Sequence, residues 1–146
     1  MGSKLGFAET GQEDEKLITE LLDWMHKNSA DFTNTFLNLC KEEIPNGALY
    51  ASESFQSWHV RWQNRLRKEE QGLETSFALM RSVNPAVIPR NHKVEEALQA
   101  GEEGNFKPFH DLLNAVEKPY MDGDHLLPYQ APPEPGEKVL QTFCGT

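Results

Sequence analysis

The 146-residue sequence is short of cysteine, of β-branched residues and of positive charge. Two cysteines, Cys40 and Cys144, are too few for a disulfide framework or a zinc site with cysteine ligands. Fourteen Lys and Arg against 23 Asp and Glu leave a net charge of −9, which repels phosphate backbones and predicts no nucleic-acid partner. Ile and Val number nine in all against sixteen Leu. This balance favours helix over sheet, because Leu loses less side-chain freedom in a helix.

Long apolar runs are also missing. No stretch approaches the roughly 18 to 20 apolar residues that span a bilayer, and the N-terminus has no apolar segment of the kind that directs export. The sequence therefore predicts a cytoplasmic protein with no membrane partner.

The apolar residues that are present recur at helical spacing in several segments. Ser29 or Asp31 can cap the second of these helices, Ser52 or Ser54 the third, and Asn91 a later one. The stripes, whose members we expect inside, are in chain order Leu17, Ile18, Leu21, Leu22 and Met25; Phe32, Phe36, Leu39 and Cys40; Phe55, Trp58, His59, Trp62 and Leu66; Leu73, Phe77 and Met80; Val94, Ala97 and Leu98; and Phe106, Phe109, Leu112, Leu113 and Val116. The sequence thus predicts an all-α fold, an irregular bundle of about five or six helices.

The composition changes at Pro119, because five of the nine prolines lie in the last 28 residues. The segment Pro132-Pro133-Glu134-Pro135-Gly136 is incompatible with a regular helix and with a central strand. We therefore expect a helical region over residues 1–118 and an extended Pro-rich tail over residues 119–146.

Motifs that carry common chemistry are missing from the sequence. It has no Gly-rich phosphate loop, no zinc-protease helix and no nucleophile elbow. The five histidines have no i, i+4 partners among themselves, so a metal site would need ligands assembled by tertiary folding alone. The sequence assigns no catalytic, cofactor-binding or metal-binding residue.

The strongest local pattern is aromatic and lies in the third predicted helix. Phe55, Trp58, His59 and Trp62 share one face, which could stack on a ligand while arginines between Arg61 and Lys68 hold a phosphate. Aromatic residues at helical spacing are more often core, so we interpret both tryptophans as structural. The alternative is a stand-alone helical protein-interaction module that binds a partner through Trp58 and Trp62.

The two cysteines have different surroundings in the sequence. Cys144 lies third from the end, after the prolines and beside Gly145, a placement that predicts an accessible thiol. Cys40 lies on the apolar stripe of the second helix, where we expect it to be shielded. An independent thiol enzyme based on Cys144 would have no neighbouring His or Asp motif to support it.

Several separated motifs resemble the selenoprotein O family, in the same order and over nearly the whole chain. They are Lys4-Leu5-Gly6, Asp31-Phe32-Thr33-Asn34-Thr35-Phe36, Trp58 with Arg61-Trp62, Asn84-Pro85-Ala86-Val87-Ile88-Pro89-Arg90-Asn91, Glu95-Glu96-Ala97, Gly104-Asn105-Phe106, Pro119-Tyr120, Pro132-Pro133 and Gln141-Thr142-Phe143-Cys144-Gly145-Thr146.

The resemblance implies a protein adenylyltransferase. Members of that family have a kinase-like (pseudokinase) fold that binds inverted ATP and, with Mg²⁺ or Mn²⁺, transfers AMP to Ser, Thr or Tyr hydroxyls of protein substrates. The family's nucleotide- and metal-binding motifs do not occur in this sequence. The resemblance therefore implies the C-terminal helical, regulatory region of a longer enzyme, inactive alone and partnered by a preceding kinase-like core.

The resemblance also implies a role for one thiol. Members of the family carry selenocysteine or cysteine at the third-from-last position, which Cys144 occupies here. We therefore expect Cys144 to be redox-active and to pair with a cysteine of the kinase-like core.

Overall fold

A computed structural model of the chain describes residues 1–41, 43–121 and 123–137. Over these ranges the fold is all-α, as the sequence predicted, with seven α-helices and no strand. The helices are α1 (Gln12–Lys27), α2 (Phe32–Leu39), α3 (Glu53–Leu66), α4 (Gly72–Val83), α5 (Asn91–Glu102), α6 (Lys107–Val116) and α7 (Leu127–Gln130). Short 3₁₀ segments lie at Gly2–Leu5, Asp124–Leu126 and Pro135–Glu137. The chain divides into two compact units, Met1–Pro85 and Ala86–Thr146.

Helix boundaries in the first unit follow local sequence signals. The backbone N–H of Gly11 donates to the Asp14 carboxylate at 2.9 Å, which satisfies one donor at the start of α1. Of the two candidate caps of α2, Ser29 and Asp31, the structure has Asp31, whose carboxylate accepts from the Asn34 N–H at 2.8 Å. The last helix of the unit, α4, ends at Val83, and the backbone of Asn84 is extended before Pro85.

The aromatic face of α3 forms the centre of the first unit's core. Phe55, Trp58, Trp62 and Leu66 are all buried. The indole N–H of Trp58 donates to the carbonyl of Leu17 in α1 at 2.8 Å, and that of Trp62 donates to the carbonyl of Leu5 at 3.0 Å. Both indole rings are therefore buried while their N–H groups keep a hydrogen-bond acceptor. The structural interpretation of these tryptophans is confirmed.

The N-terminal 3₁₀ segment is part of the same core. Leu5 is completely buried, and Gly6 has a φ of 84°. A Cβ on Gly6 would lie 2.8 Å from the Cδ1 atom of Leu66. Both the backbone conformation and the close packing therefore require glycine.

In the second unit the apolar residues are less completely covered. Helices α5 and α6 pack on each other, and the buried residues of the two helices are Ala97, Leu112 and Ala115. The expectation that four further members of the predicted stripes lie inside is wrong, because Leu98, Phe106, Phe109 and Leu113 are 55%, 58%, 46% and 45% exposed. A helix that packs on one neighbour covers only part of a wide apolar stripe.

Two further expectations for this unit need correction. Asn91 is the first residue of α5, and the N-cap position belongs to Arg90. The structure also differs from the extended tail at Asp124–Gln130, where a 3₁₀ turn leads into α7. Pro128 fits there because a proline in the first turn sacrifices no helical hydrogen bond. The backbone N–H of Ala86 donates to the carbonyl of Pro119 at 2.6 Å, which fastens the start of the predicted tail to this unit.

Candidate functional site

A charged cluster centred on Arg65 is the most highly organised polar site in the first unit. The guanidinium of Arg65 binds the Asp14 carboxylate with two hydrogen bonds, from Nε at 2.6 Å and from Nη2 at 3.1 Å. Its Nη1 atom donates at 2.5 Å to Glu69, which lies three residues beyond the end of α3. Arg65 thus joins α3 to the first turn of α1 through a bidentate ion pair.

The cluster also orders the segment that precedes α1. The second oxygen of Glu69 accepts the backbone N–H of Ala8 at 3.0 Å, and Arg65 donates to the carbonyl of Glu9 at 3.3 Å. The guanidinium lies 4.7 Å from the centre of the Phe7 ring, which is within the range of a cation–π contact. These contacts hold residues 7–9 against α3.

The electrostatics of the cluster favour its charged state. Burial alone would raise the pKa of Asp14, but hydrogen bonds from Arg65 and from the Gly11 N–H, with the charge of Arg65, hold that pKa below its ordinary value. The hydrogen bond to Asp14 is the main cause of a raised pKa for Arg65. The side chains of Asp14 and Glu69 are only 4% and 8% exposed, so both carboxylates depend on the guanidinium as counter-ion.

An open cleft of about 860 Å³ adjoins this cluster. Its lining residues are Ala8, Glu9, Glu13, Arg65, Lys68, Glu69, Glu70 and Gln71. Four of the lining side chains are carboxylates and two are cations. One of these cations, the guanidinium of Arg65, is already bound by two carboxylates. The cleft therefore offers a phosphate group a net repulsive surface.

The described residues do not fit the ATP and divalent metal that the resemblance implies for the longer enzyme. Within those residues no group of three His, Cys, Asp or Glu side chains is arranged to hold a metal ion. The same part of the chain also has no helix with the length and apolar character needed to cross a membrane.

The structure accounts for the aromatic pattern by packing. His59 lies between the rings of Phe55 and Trp62, with centroid distances of 5.7 Å and 5.2 Å. Burial lowers the pKa of His59, because the imidazolium form is less well solvated there than in water. Trp58 and Trp62 are only 3% and 2% exposed. Neither indole is therefore available to bind a partner, as the alternative of a stand-alone interaction module requires.

The structure describes one of the two cysteines. Cys40 is buried, as predicted, with its Sγ atom 3.2 Å from the carbonyl oxygen of Phe36. Asn84 donates to the same sulfur at 3.5 Å. Cys144, the predicted redox residue, lies outside the described residues.

The Arg65 cluster was not predicted as a unit. As a sequence, the run from Arg61 to Lys68, with the glutamates that follow it, is typical of a solvated face. The i, i+4 spacing of Arg65 and Glu69 was a usable signal for one of the pairs. Asp14 is 51 positions from Arg65, so nothing in the local sequence could join them.

Comparisons with known proteins match this chain throughout its length. The family model described as protein adenylyltransferase SelO matches residues 1–117. The protein nucleotidyltransferase YdiU of Alcanivorax borkumensis is 51% identical over 147 aligned positions, and those of Syntrophotalea carbinolica and Nitrosococcus oceani are 46% and 44% identical. Each alignment covers 100% of this chain and 30% of the relative. The chain thus spans about 30% of the length of these curated relatives.

Proposed function

Because this chain belongs to the SelO family of protein adenylyltransferases, we propose that it is the C-terminal helical region of a longer enzyme that transfers AMP from ATP to Ser, Thr or Tyr hydroxyls of proteins. The observation that carries the proposal is the alignment of the entire chain, at 51% identity, with 30% of a protein nucleotidyltransferase. A kinase-like core outside this chain would hold ATP and Mg²⁺ or Mn²⁺ and bind the protein substrate.

In this proposal the helical region has a structural and regulatory role. Its support is the chemistry of the cleft beside Arg65, where carboxylates outnumber cations and occupy the guanidinium. Such a site is suited to holding helices together and unsuited to cradling a triphosphate. AMP transfer would therefore depend on the core, while this region supports it.

The regulatory part of the proposal concerns Cys144. In an oxidising medium its thiol would form a disulfide with a cysteine of the core, and the two thiols would give two electrons and two protons to an oxidant such as glutathione disulfide. Reduction would restore both thiols. The support for this step is the resemblance to the selenoprotein O family, in which Cys144 occupies the place of the family's selenocysteine or cysteine. The prolines before Cys144 and the adjacent Gly145 support only an accessible thiol.

AMP transfer is tested with the full-length protein and the isolated chain side by side. Each is incubated with ATP labelled on the α-phosphate, Mg²⁺ or Mn²⁺, and a generic protein acceptor. We expect label on protein only when the full-length enzyme is present. Stoichiometric labelling by the isolated chain, lost when a residue of this chain is replaced, would overturn the division of labour proposed for core and helical region.

The thiol is tested by brief alkylation of the native isolated chain, followed by mass spectrometry of its peptides. Cys40 is 6% exposed and contacts Phe36 and Asn84, so it should react slowly. We expect Cys144 to be labelled much faster. Equal labelling, or preferential labelling of Cys40, would contradict the proposed accessibility of Cys144.

A further inference from the structure

The second unit carries an apolar groove between α5 and α6 that the Arg65 cluster and the proposed thiol do not explain. Its walls are Pro89, Val94, Leu98, Phe109, Leu113 and Val116, over a floor of Ala97 and Leu112. Three of the wall residues, Leu98, Phe109 and Leu113, are about half exposed. Large apolar side chains clustered in one exposed groove are typical of a surface that binds another polypeptide.

The groove has an acidic rim. Glu95 and Glu102 lie three residues before and four residues after Leu98, which places both beside it on the surface of α5. Glu117 follows Leu113 by the same four positions, just beyond the end of α6. All three glutamates are exposed.

The second unit as a whole is also negatively charged. Between residues 86 and 137 the sequence has ten Asp and Glu against four Lys and Arg, a net charge of −6. Two of those cations, Lys93 and Lys107, are already paired with Glu96 and Asp111. The rim therefore attracts a partner that carries lysine or arginine beside its apolar residues.

From this groove we propose that the α5–α6 surface is the docking site for a segment of the same protein outside this chain, one that presents apolar side chains flanked by Lys or Arg. The inference rests on the proposed function in one respect, that the chain is part of a longer protein. Its relatives have about 70% of their length beyond the aligned region, which supplies a covalently linked partner at high effective concentration. A second copy of this chain fits less well, since it would bring an identical acidic rim against this one.

The test compares two cysteine variants at adjacent exposed positions of α5. Leu98→Cys places a thiol in the groove, and Gln99→Cys places one beside it, outside the lining. Both positions are exposed, so neither variant removes a core contact. Each variant is alkylated briefly, in the isolated chain and in the full-length protein, and the labelled peptide is quantified by mass spectrometry.

We expect both thiols to react rapidly in the isolated chain. In the full-length protein the Leu98→Cys thiol should react at least about tenfold more slowly, while the Gln99→Cys thiol changes by less than about twofold. High salt should weaken the protection because it screens the acidic rim.

Equal reactivity of the Leu98→Cys thiol in the isolated and full-length proteins would overturn the proposal. Protection that grows with concentration in the isolated chain would also overturn it and identify a second copy as the occupant. Protection that high salt leaves unchanged would refute the claim that the docking segment carries Lys or Arg beside its apolar side chains. Because labelling does not measure AMP transfer, a full-length protein with a protected groove and no transferase activity would refute the proposed function alone.

Discussion

Replacing Arg65 with alanine tests whether the ion-pair cluster holds the first unit together. The substitution removes the counter-ion of Asp14 and Glu69, whose side chains are 4% and 8% exposed. Removing one partner of a buried ion pair costs about 3 to 5 kcal/mol, since a carboxylate remains without compensation. The Arg65 side chain is itself 24% exposed, so water can enter the vacated space. We therefore expect a loss of about 3 kcal/mol in the free energy of unfolding.

A matched control lies one turn earlier on the same helix. Arg61 pairs with Glu20 at 2.7 Å, but the two side chains are 48% and 32% exposed. An exposed pair contributes about 1 kcal/mol or less, so Arg61→Ala should have little effect. Arg65→Lys should fall between the two alanine variants, because lysine keeps the charge and loses the bidentate geometry.

The assay is urea unfolding followed by tryptophan fluorescence, because all three tryptophans belong to the first unit. The pKa of Asp14 is depressed in the folded state. The stabilisation linked to this shift is therefore complete above the ordinary pKa of 3.8 and is lost as the pH falls through the lower folded value. The difference in the free energy of unfolding between wild type and Arg65→Ala should thus be largest near neutral pH and should disappear in acid. Equal losses for Arg61→Ala and Arg65→Ala, or a difference unchanged in acid, would refute the reasoning.

Three more predictions concern the same unit. Trp62→Ala should cost roughly 3 to 5 kcal/mol, because it removes a buried ring; a melting temperature close to that of the wild type would contradict this. Gly6→Ala should cost about 1 to 3 kcal/mol in the same urea assay through positive φ and overpacking, whereas Gly47→Ala, where a Cβ would contact nothing within 4 Å, should be nearly neutral. Because burial lowers the pKa of His59, the unfolded state binds more protons near pH 6.5 and stability should fall as the pH drops through that value. His59→Gln should flatten that part of the pH profile, and an identical profile would exclude His59 as the cause.

Periodicity was sufficient to predict the helices of the first unit and part of its core. Phe32 and Leu73, which belong to predicted stripes, are instead 47% and 43% exposed. Phe55, Trp58 and Trp62 recur at helical spacing and are buried together, because α3 is covered by α1 and the N-terminal segment through the bonds to Leu17 and Leu5. Local chemistry also narrowed the N-cap of α2 to Ser29 or Asp31, and Asp31 occupies that position. These features depend on neighbours in sequence or on a single apolar face, which is the information a periodic pattern contains.

The features that sequence analysis missed depend on contacts between distant residues. Arg65 and Asp14 are 51 positions apart, so their pairing is set by how α3 packs on α1. The helical turns at Asp124–Gln130 are not predicted either, because a proline-rich composition favours an extended chain. A proline near a helix start is compatible with the helix, and Leu126, 2% exposed, supplies burial that the composition does not reveal.

The contrast between α3 and α6 shows what an apolar stripe specifies. Both helices have a clear stripe, yet that of α3 is buried while Phe109 and Leu113 of α6 are nearly half exposed. A stripe identifies the face that must be covered, and the cover can come from any polypeptide that reaches it. In a chain that spans about 30% of its relatives' length, an exposed stripe with an acidic rim is the surface at which contacts with the rest of the protein should be sought first. The protection of the Leu98→Cys thiol measures such a contact directly, whatever the activity of the full-length protein.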